Sequence, residues 1–368
     1  MYFLFILGGM LLFLMAGFYW LTGRWLALYG VPVKRWDLRL LRVGVVLFLL
    51  VLFWLWNTSA LIALHLLGFF ILTELVALGL RLGGKSLRER RWYLRLKRIY
   101  HSGMIAPLLT GLLLGYGAYN MGHIARTEYT VVSDKLQEDY KLVLITDTHY
   151  DTIQDPQVLK RKLAEINQLA PDLVVLGGDI VEENTSRESM EEAFQVLGSI
   201  KSRYGIYYVY GNHDRQLYRN SPAYTQEELA QAIEAGGIRI LQDAWVPIGP
   251  DLILAGREDR GAPWGRASVA ELLEGADRNR FLIVADHQPL EAEKHAAQGV
   301  DLQVSGHTHA GQVFPTGCLM EWMGQRNYGE YKEGNLRVIV SSGVAGWGFP
   351  VRTQEKCEYV VIHLRKTG

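Results

Sequence analysis

The chain has little cysteine and no excess of charge of either sign. Its 368 residues include two cysteines, Cys318 and Cys357, which are too few for a disulfide framework. Neither lies in a CxxC motif or beside the candidate ligands described below, so we interpret both as structural. Basic and acidic residues are equal at 38 each, so the overall charge gives no reason to expect a nucleic-acid partner.

Acidic residues are scarce in the first third of the chain. Nearly all of them follow residue 130, and the preceding part consists of long apolar stretches separated by basic loops. The first stretch, residues 2–22, has no basic segment before it and no small-residue cleavage site after it. These features favour an uncleaved membrane span over a signal peptide.

The apolar stretches predict four membrane helices. Residues 43–80 are too many for one span, so we expect a helical hairpin that turns at Asn57-Thr58-Ser59. Residues 104–124 are rich in glycine and alanine, as closely packed membrane helices are. We therefore predict a helical region over residues 1–127, with spans at about 2–22, 43–57, 60–80 and 104–124.

Basic residues in the loops predict the orientation of these spans. The first and third loops are basic, whereas the tip of the hairpin is uncharged. Because basic loops remain in the cytoplasm, four spans place residues 128–368 on the outer face of the cell membrane, and one span more or fewer places them inside. The basic, amphipathic segment Ser86–His101 is either a helix on an anionic leaflet or an ordinary cytoplasmic loop.

After residue 128, short apolar runs alternate with helical stretches such as Pro156–Leu169, Glu188–Lys201 and Glu227–Ala235. This alternation predicts an α/β domain. Five of the runs lead into side chains that can bind a metal. In α/β sheets the ligand crevice lies beyond the carboxyl ends of the strands, so these donors should converge on one rim. They are too many for a single ion, which indicates a two-metal hydrolase.

The first two runs supply carboxylates and an imidazole. Asp147 and His149 are two residues apart, so in an extended chain they share a side and can bind the same ion. Asp179 follows two glycines, which allow the backbone to approach a site closely. Since a carboxylate has two oxygens, Asp179 is our candidate for a ligand that bridges two cations.

The third run ends in Gly-Asn-His-Asp. Asn212 offers a neutral oxygen to a second metal, and His213 is suited to act near the leaving oxygen. Asp214 is expected to orient His213 through a hydrogen bond. The last two runs add three imidazoles, those of His287, His307 and His309.

The donor set contains nitrogen and oxygen but no thiolate. It therefore favours Mn²⁺, Fe or Zn²⁺ over Ca²⁺ and disfavours Cu(I). We expect two divalent cations, with manganese as the first choice and iron or zinc as alternatives. Arg352 is a further candidate, either as a substrate-binding clamp on phosphate or as a partner in a surface salt bridge.

The combination of these motifs resembles the calcineurin-like metallophosphoesterases over residues 138–368. Its order is Asp-x-His, Gly-Asp, Gly-Asn-His-Asp, a single His and Gly-His-x-His. The preceding apolar helices and the segment Gly343–Arg352 are similar to the membrane-anchored bacterial branch, the YkuE-like and YaeI-like phosphodiesterases. The resemblance implies a β-sandwich flanked by helices.

The resemblance also implies roles for individual residues. Asp147, His149 and His309 would bind one metal, Asn212, His287 and His307 the other, with Asp179 as the bridge and His213 as the catalytic histidine. Three positions depart from the usual pattern, namely Asp151, Asp286 and Ala310. The two aspartates are expected to add negative charge near the rim and thereby to affect substrate preference.

The function predicted from these features is metal-dependent hydrolysis of a phosphate ester. A membrane-anchored site favours a phosphodiesterase that acts on a lipid or a lipid-linked phosphate. The alternatives are a pyrophosphatase of a nucleotide-linked lipid precursor and a catalytically inactive metal-binding scaffold. Scaffolds of this fold typically lose ligands or the catalytic histidine, and this chain retains all of them.

Overall fold

A computed structural model describes residues 2–31, 36–54, 58–83 and 90–368. The chain divides into two compact units, Met1–Tyr116 and Gly117–Gly368. The division falls inside an apolar helix, somewhat before the boundary predicted at residue 128.

The first unit is helical. Its helices are α1 (Tyr2–Leu28), α2 (Trp36–Trp54), α3 (Thr58–Leu82), α4 (Arg91–His101) and α5 (Ile105–Met121), which continues into the second unit. Helices therefore occur at all four predicted spans. Of the predicted turn, Asn57 lies outside the described residues and Thr58 begins α3.

The four-span membrane region itself is not confirmed. Among the described residues, α3 is the one helix that is long and apolar enough by itself to cross a membrane. Helices α4 and α5 are bent by 77° at the break between them, and together they would count as a second span. The sequence-based expectation of four spans thus exceeds what the described helices establish.

A polar cluster connects three helices of the first unit. Arg24 of α1 forms an ion pair with Glu74 of α3, and the hydroxyl of Tyr100 on α4 donates to the same carboxylate at 2.6 Å. The end of α1, the second half of α3 and α4 therefore meet at one end of the bundle. In the amphipathic segment Ser86–His101, residues 91–101 form α4, whereas residues 86–89 lie outside the described residues.

Residues 117–368 form two mixed six-stranded sheets. The first has the order β1 (Ile124–Ser133), β12 (Cys357–Lys366), β2 (Tyr140–Ile145), β3 (Leu173–Leu176), β4 (Ile206–Tyr208) and β5 (Ile238–Ile240). The second has the order β10 (Gly329–Glu333), β11 (Leu336–Val340), β9 (Leu302–Ser305), β8 (Phe281–Ala285), β7 (Leu252–Gly256) and β6 (Ala244–Ile248).

Alternate side chains of the central strands pack on opposite faces of each sheet. Leu142 and Leu144 of β2 contribute to the core between the two sheets, together with Ile283 of β8. Their neighbours Val143 and Ile145 pack on the other face. Because these strands are covered on both faces, they appear in the sequence as continuous apolar runs.

Helices cover the outer faces of both sheets. Helices α6 (Pro156–Gln168), α7 (Arg187–Gly198) and α8 (Gln226–Ala235) pack on the first sheet, and α9 (Val269–Leu272) and α10 (Ala292–Ala297) on the second. A last helix, α11 (Thr316–Trp322), follows the β9 loop. This is the helix-flanked sandwich that the family resemblance implies.

Strand direction brings the candidate ligands to one edge. Strands β2, β3, β4 and β5 are parallel, and so are β7, β8, β9 and β11. The loops that follow β2, β3 and β4 in one sheet and β8 and β9 in the other carry all the predicted metal ligands. The carboxyl ends of the two sheets thus supply the two halves of the site.

Candidate metal centre

The backbone at the strand ends is strained where the ligands lie. Asp147, His149, Asp179, His307 and His309 all have positive φ values, between 38° and 72°. The left-handed region costs a non-glycine residue about 1–2 kcal/mol. Such strain clusters at functional sites, where the surrounding structure fixes the backbone in order to aim a side chain.

Six of the predicted ligands form two groups of three. In the first group, Asp147, His149 and His309 each offer a donor atom within 4.8 Å of the other two. The Nε2 atoms of the two histidines are 3.2 Å apart, and Nε2 of His309 is 3.6 Å from Oδ1 of Asp147. Lone pairs that face one another in this way are suited to a shared cation.

The second group contains Asp179, His287 and His307, again with donor atoms within 4.8 Å of one another. Nε2 of His287 is 3.0 Å from Oδ2 of Asp179. The other oxygen of Asp179 accepts a hydrogen bond from the backbone N–H of His213 at 2.9 Å. Asp179 is therefore held rigidly beside the second group.

Backbone carbonyls orient two of the imidazoles. Nδ1 of His287 donates to the carbonyl oxygen of Gly177 at 2.8 Å, and Nδ1 of His309 donates to that of Ala345 at 3.1 Å. Each hydrogen bond orients its ring and directs Nε2 towards the other donors of its group, as in a histidine that binds a metal. The residues around the rings therefore fit a metal centre.

Asn212 supplies a neutral oxygen at the same edge. Its side chain is buried, and its Oδ1 has no hydrogen-bond partner among the described residues. An unpaired buried amide oxygen is costly, so it indicates a ligand that completes it. Gly211 makes this approach possible, because a Cβ at that position would overlap the carboxylate of Asp179.

Burial and neighbouring charges keep three of the donors in states that can bind a cation. Burial lowers the pKa of His149 well below its usual value and that of His309 to about 4, so both imidazoles are neutral at pH 7. Burial opposes the charge on Asp179, but the adjacent His287 holds the carboxyl pKa well below its usual range. The carboxylate of Asp179 is therefore ionised.

His213 lies between the ligands and an aromatic rim. Its Nδ1 is 2.6 Å from Oε2 of Glu183, and its ring stacks on Trp347 with the centroids 5.4 Å apart. Burial opposes protonation of His213, but the hydrogen bond to Glu183 and the charge of Asp179 raise its pKa above the usual value. The Glu183 carboxylate thus favours the protonated form of His213.

Asp214 does not contact His213 as predicted. Its carboxylate is fully buried and accepts hydrogen bonds from the backbone N–H groups of Gly211, Asp179, Ile180 and Val181. Asp214 therefore fixes the loops after β3 and β4, while Glu183 holds the histidine. Sequence reasoning missed Glu183 because no spacing rule connects it to residue 213.

Arg352 is not a phosphate clamp in this structure. It is fully buried, and its guanidinium donates to the carbonyl oxygens of His309 at 2.8 Å, Ser342 at 2.8 Å and Ala345 at 2.7 Å. These donors are occupied by the backbone and do not face a substrate. Arg352 connects the loop with His309 to the segment after β11. Neither proposed role, a phosphate clamp or a surface salt bridge, matches this position.

Of the two aspartates expected to add negative charge near the rim, Asp286 is neutralised by arginines. Asp286 is buried and paired with Arg257 at 3.2 Å and Arg266 at 3.0 Å. Asp151 accepts a hydrogen bond from the hydroxyl of Ser189 at 2.6 Å. Ala310, the third of these positions, adopts the left-handed conformation with φ of 52°.

Comparison with known proteins agrees with this site. Residues 140–311 match the family model for calcineurin-like phosphoesterases. An uncharacterized metallophosphoesterase of Helicobacter pylori (strain J99) is 30% identical over 246 residues, which is 64% of this chain and 63% of that protein. The chain thus spans less than two thirds of that relative's length.

Two further relatives differ in how much of their length is matched. A transmembrane protein with metallophosphoesterase domain from Danio rerio is 29% identical over 73% of this chain and 63% of its own length. The metallophosphoesterase YkuE of Bacillus subtilis is 28% identical over 74% of this chain and 98% of its own length. Together with the family match and the strand-end motifs, these relatives identify residues 140–311 as a calcineurin-like phosphoesterase domain.

Proposed function

We propose that the chain is a dinuclear-metal-dependent hydrolase of phosphate esters, with manganese as the first candidate metal. The observation that carries this proposal is the pair of buried donor groups at the meeting edge of the two sheets. In this proposal Asp147, His149 and His309 would hold one cation, Asn212, His287 and His307 would hold the other, and Asp179 would be the ligand common to both.

Two divalent cations in such a site supply a water of lowered pKa as nucleophile and neutralise charge on the phosphoryl oxygens. The chain's own contribution is the proton for the leaving group. Nδ1 of His213 is held by Glu183, so Nε2 is the atom that donates to the leaving alkoxide. Trp347 stacks on the ring and keeps it aligned. Asp214 acts only on the loops that carry these groups.

The favoured substrate is a phosphodiester on a lipid, or a lipid-linked phosphate, cleaved at the membrane surface. The apolar helix α3 in the same chain supports membrane association. The basic loops favour a multi-pass arrangement with the phosphoesterase domain on the outer face. The same chemistry applies to the pyrophosphate of a nucleotide-linked lipid precursor, which the following experiment distinguishes by its products.

The test compares the wild-type chain with Asp179→Asn, and with Asp277→Asn as a control at an exposed aspartate. Each is loaded with Mn²⁺ in detergent and incubated with bis(p-nitrophenyl) phosphate or with a total bacterial lipid extract. Asp179→Asn is expected to lower both bound metal and hydrolysis by more than about 100-fold, since a shared ligand is lost. Asp277→Asn should match wild type.

Mass spectrometry of the lipid extract identifies the bond that is cut. Loss of one lipid with release of its phosphorylated head group, in wild type only, supports a lipid phosphodiesterase. Release of a nucleoside monophosphate supports the pyrophosphatase instead. Full activity of Asp179→Asn would overturn the dinuclear assignment, and two bound metals without hydrolysis of either substrate would indicate a scaffold.

A further inference from the structure

We propose that the apolar face of α11 inserts into the surface of the lipid bilayer and turns the mouth of the metal centre towards the lipid. This apolar face consists of Phe314, Cys318, Leu319, Trp322 and Met323. The four largest of these side chains are 51–85% exposed. Cys318, Leu319, Trp322 and Met323 recur at helical spacing and share one side of α11, and Phe314 lies just before the helix.

Helix α11 is fixed directly to the turn that carries a predicted ligand. A Cβ at Gly317 would lie 2.5 Å from the carbonyl oxygen of Ala310, the residue after His309. The backbone N–H of Gly317 donates to the side chain of Gln354 at 2.9 Å, and that of Phe314 donates to Thr353 at 3.0 Å. The apolar face therefore cannot move independently of the metal centre.

The chain enters the phosphoesterase unit next to the same segment. In the last turn of α5, the carbonyl of Gly117 accepts from the backbone N–H of Arg352 at 3.0 Å. The side chain of Asn120 donates to the carbonyl of Arg352 at 3.0 Å. The end of the uncharged helix α5 and the apolar face of α11 thus both attach to residues 352–354, on the same side of the domain.

The mouth of the metal centre, by which we mean the rim formed by His213 and Trp347, is attached to the same segment. Trp347, which stacks on His213 and is 39% exposed, donates its backbone N–H to Gln312 at 2.8 Å. Gln312 also donates to the carbonyl oxygens of Phe349 and Val351 at 3.1 Å each. One hydrogen-bonded segment therefore connects the catalytic histidine, the end of α5 and the start of α11.

A lipid surface is the occupant that these observations favour. An exposed tryptophan with neighbouring phenylalanine, leucine and methionine is typical of side chains that lie at a membrane interface. The chain also contains one helix that is long and apolar enough to cross a membrane, which supports a lipid bilayer as the partner surface. Delivery of a lipid phosphate ester to His213 rests on the proposed function, whereas insertion of the apolar face does not.

Cys318 permits a direct test on the wild-type chain. It is exposed, whereas Cys357 is buried, so an environment-sensitive NBD maleimide should label Cys318 alone. The labelled protein is reconstituted into vesicles of phosphatidylcholine and phosphatidylglycerol. Quenching is then measured with a nitroxide on the lipid acyl chain and with aqueous iodide.

The control carries the label on the opposite edge of the first sheet. In Cys318→Ser with Glu234→Cys, the probe lies on α8, beside β5 and far from β1. We expect the lipid nitroxide to quench the Cys318 probe and iodide to quench the Glu234→Cys probe. Quenching of the Cys318 probe by iodide alone would overturn the proposal. Protection from both quenchers would overturn it too, because a second copy or another protein would then cover the face.

Activity provides a second readout with matched variants. Leu319→Glu places a charge on the apolar face, and Val132→Glu does so at a similarly exposed residue near the far end of β1. Hydrolysis of a phosphodiester lipid in vesicles should fall about tenfold in Leu319→Glu only, as expected for one leucine side chain kept in water. Hydrolysis of soluble bis(p-nitrophenyl) phosphate should be unchanged in both.

The two readouts separate the inference from the proposed function. An equal loss on both substrates in Leu319→Glu would contradict lipid delivery. If the wild type hydrolyses neither substrate, the proposed function fails, while the quenching result still decides whether the apolar face inserts.

Discussion

Two carboxylates near His213 have different roles, and the sequence predicted a role for Asp214 alone, with the wrong partner. Asp214 is adjacent to the histidine in the chain, but it turns inward to accept four backbone N–H groups. Glu183 is 30 residues away in sequence, yet it lies 2.6 Å from the ring. At a strand end, neighbouring side chains point in different directions, so adjacency in sequence is a poor guide to contact.

Glu183→Gln should therefore impair catalysis without loss of metal. The amide can still accept a hydrogen bond from Nδ1 of His213, but it lacks the charge that stabilises the imidazolium. We expect kcat for bis(p-nitrophenyl) phosphate to fall roughly 10–100-fold with little change in KM. The control is Glu234→Gln on the exposed surface of α8, and metal content is measured on each protein. Parallel loss of metal and kcat would show that Glu183 supports the ligands instead.

Asp214→Asn should lower the thermal stability of the phosphoesterase unit. Its amide nitrogen would face backbone N–H donors at a fully buried position, and at least one hydrogen bond would be lost. The midpoint of thermal unfolding of the phosphoesterase unit should fall by roughly 5–10 °C. Circular dichroism in detergent measures this shift against Asp277→Asn. An unchanged midpoint together with a loss of kcat would restore the orienting role first predicted for Asp214.

At the scale of elements, most helices and strands of the phosphoesterase domain could be predicted from local sequence patterns. The apolar runs and helical stretches lie within a few residues of the observed β2, β3, β4, β8, β9 and α6–α8. The location of the ligands also followed, because parallel strands share a carboxyl edge. Long-range pairing did not follow. The burial of Arg352 against three carbonyls and the membership of β12 in the first sheet depend on contacts between distant segments.

The loop between β8 and α10 is held by a charge network with a defined pH dependence. Burial opposes the charge on Glu291, but hydrogen bonds from Lys294 and Arg257 lower its pKa from 4.5 to about 2. A carboxyl whose pKa is lower in the folded protein stabilises the fold above its unfolded pKa. This stability is lost as the pH falls from about 4.5 towards 2.

Glu291→Gln should remove this part of the acid sensitivity. The variant is expected to be less stable than wild type at pH 7, and the difference between them should shrink as the pH falls below 4.5. Thermal unfolding at a series of pH values measures it, with Glu293→Gln, at a mostly exposed side chain, as the comparison. A constant difference across this range would mean that Glu291 contributes through packing and not through its charge.

At the scale of the whole molecule, the number of spans decides where the chemistry takes place. The end of α1, α3 and α4 meet at one end of the helical unit, where Glu74 contacts both Arg24 and Tyr100. Composition alone predicted four spans, whereas one described helix meets the criteria for crossing by itself. Hydropathy indicates whether a segment can enter a membrane. The side on which the next domain emerges depends instead on how many times the chain crosses.

The outer-face assignment predicts which reagents reach the phosphoesterase domain in intact cells. Cys318→Ser with Glu234→Cys leaves one accessible thiol, on α8, because Cys357 is buried. A membrane-impermeant maleimide should label this thiol in intact spheroplasts as fully as in lysed ones. Labelling only after lysis would place the domain in the cytoplasm. The chain would then cross the membrane one time more or one time fewer than the four predicted. In that case the substrate would have to come from the inner leaflet, and nucleotide-linked lipid precursors would become the first candidates, because nucleotides are made on that side.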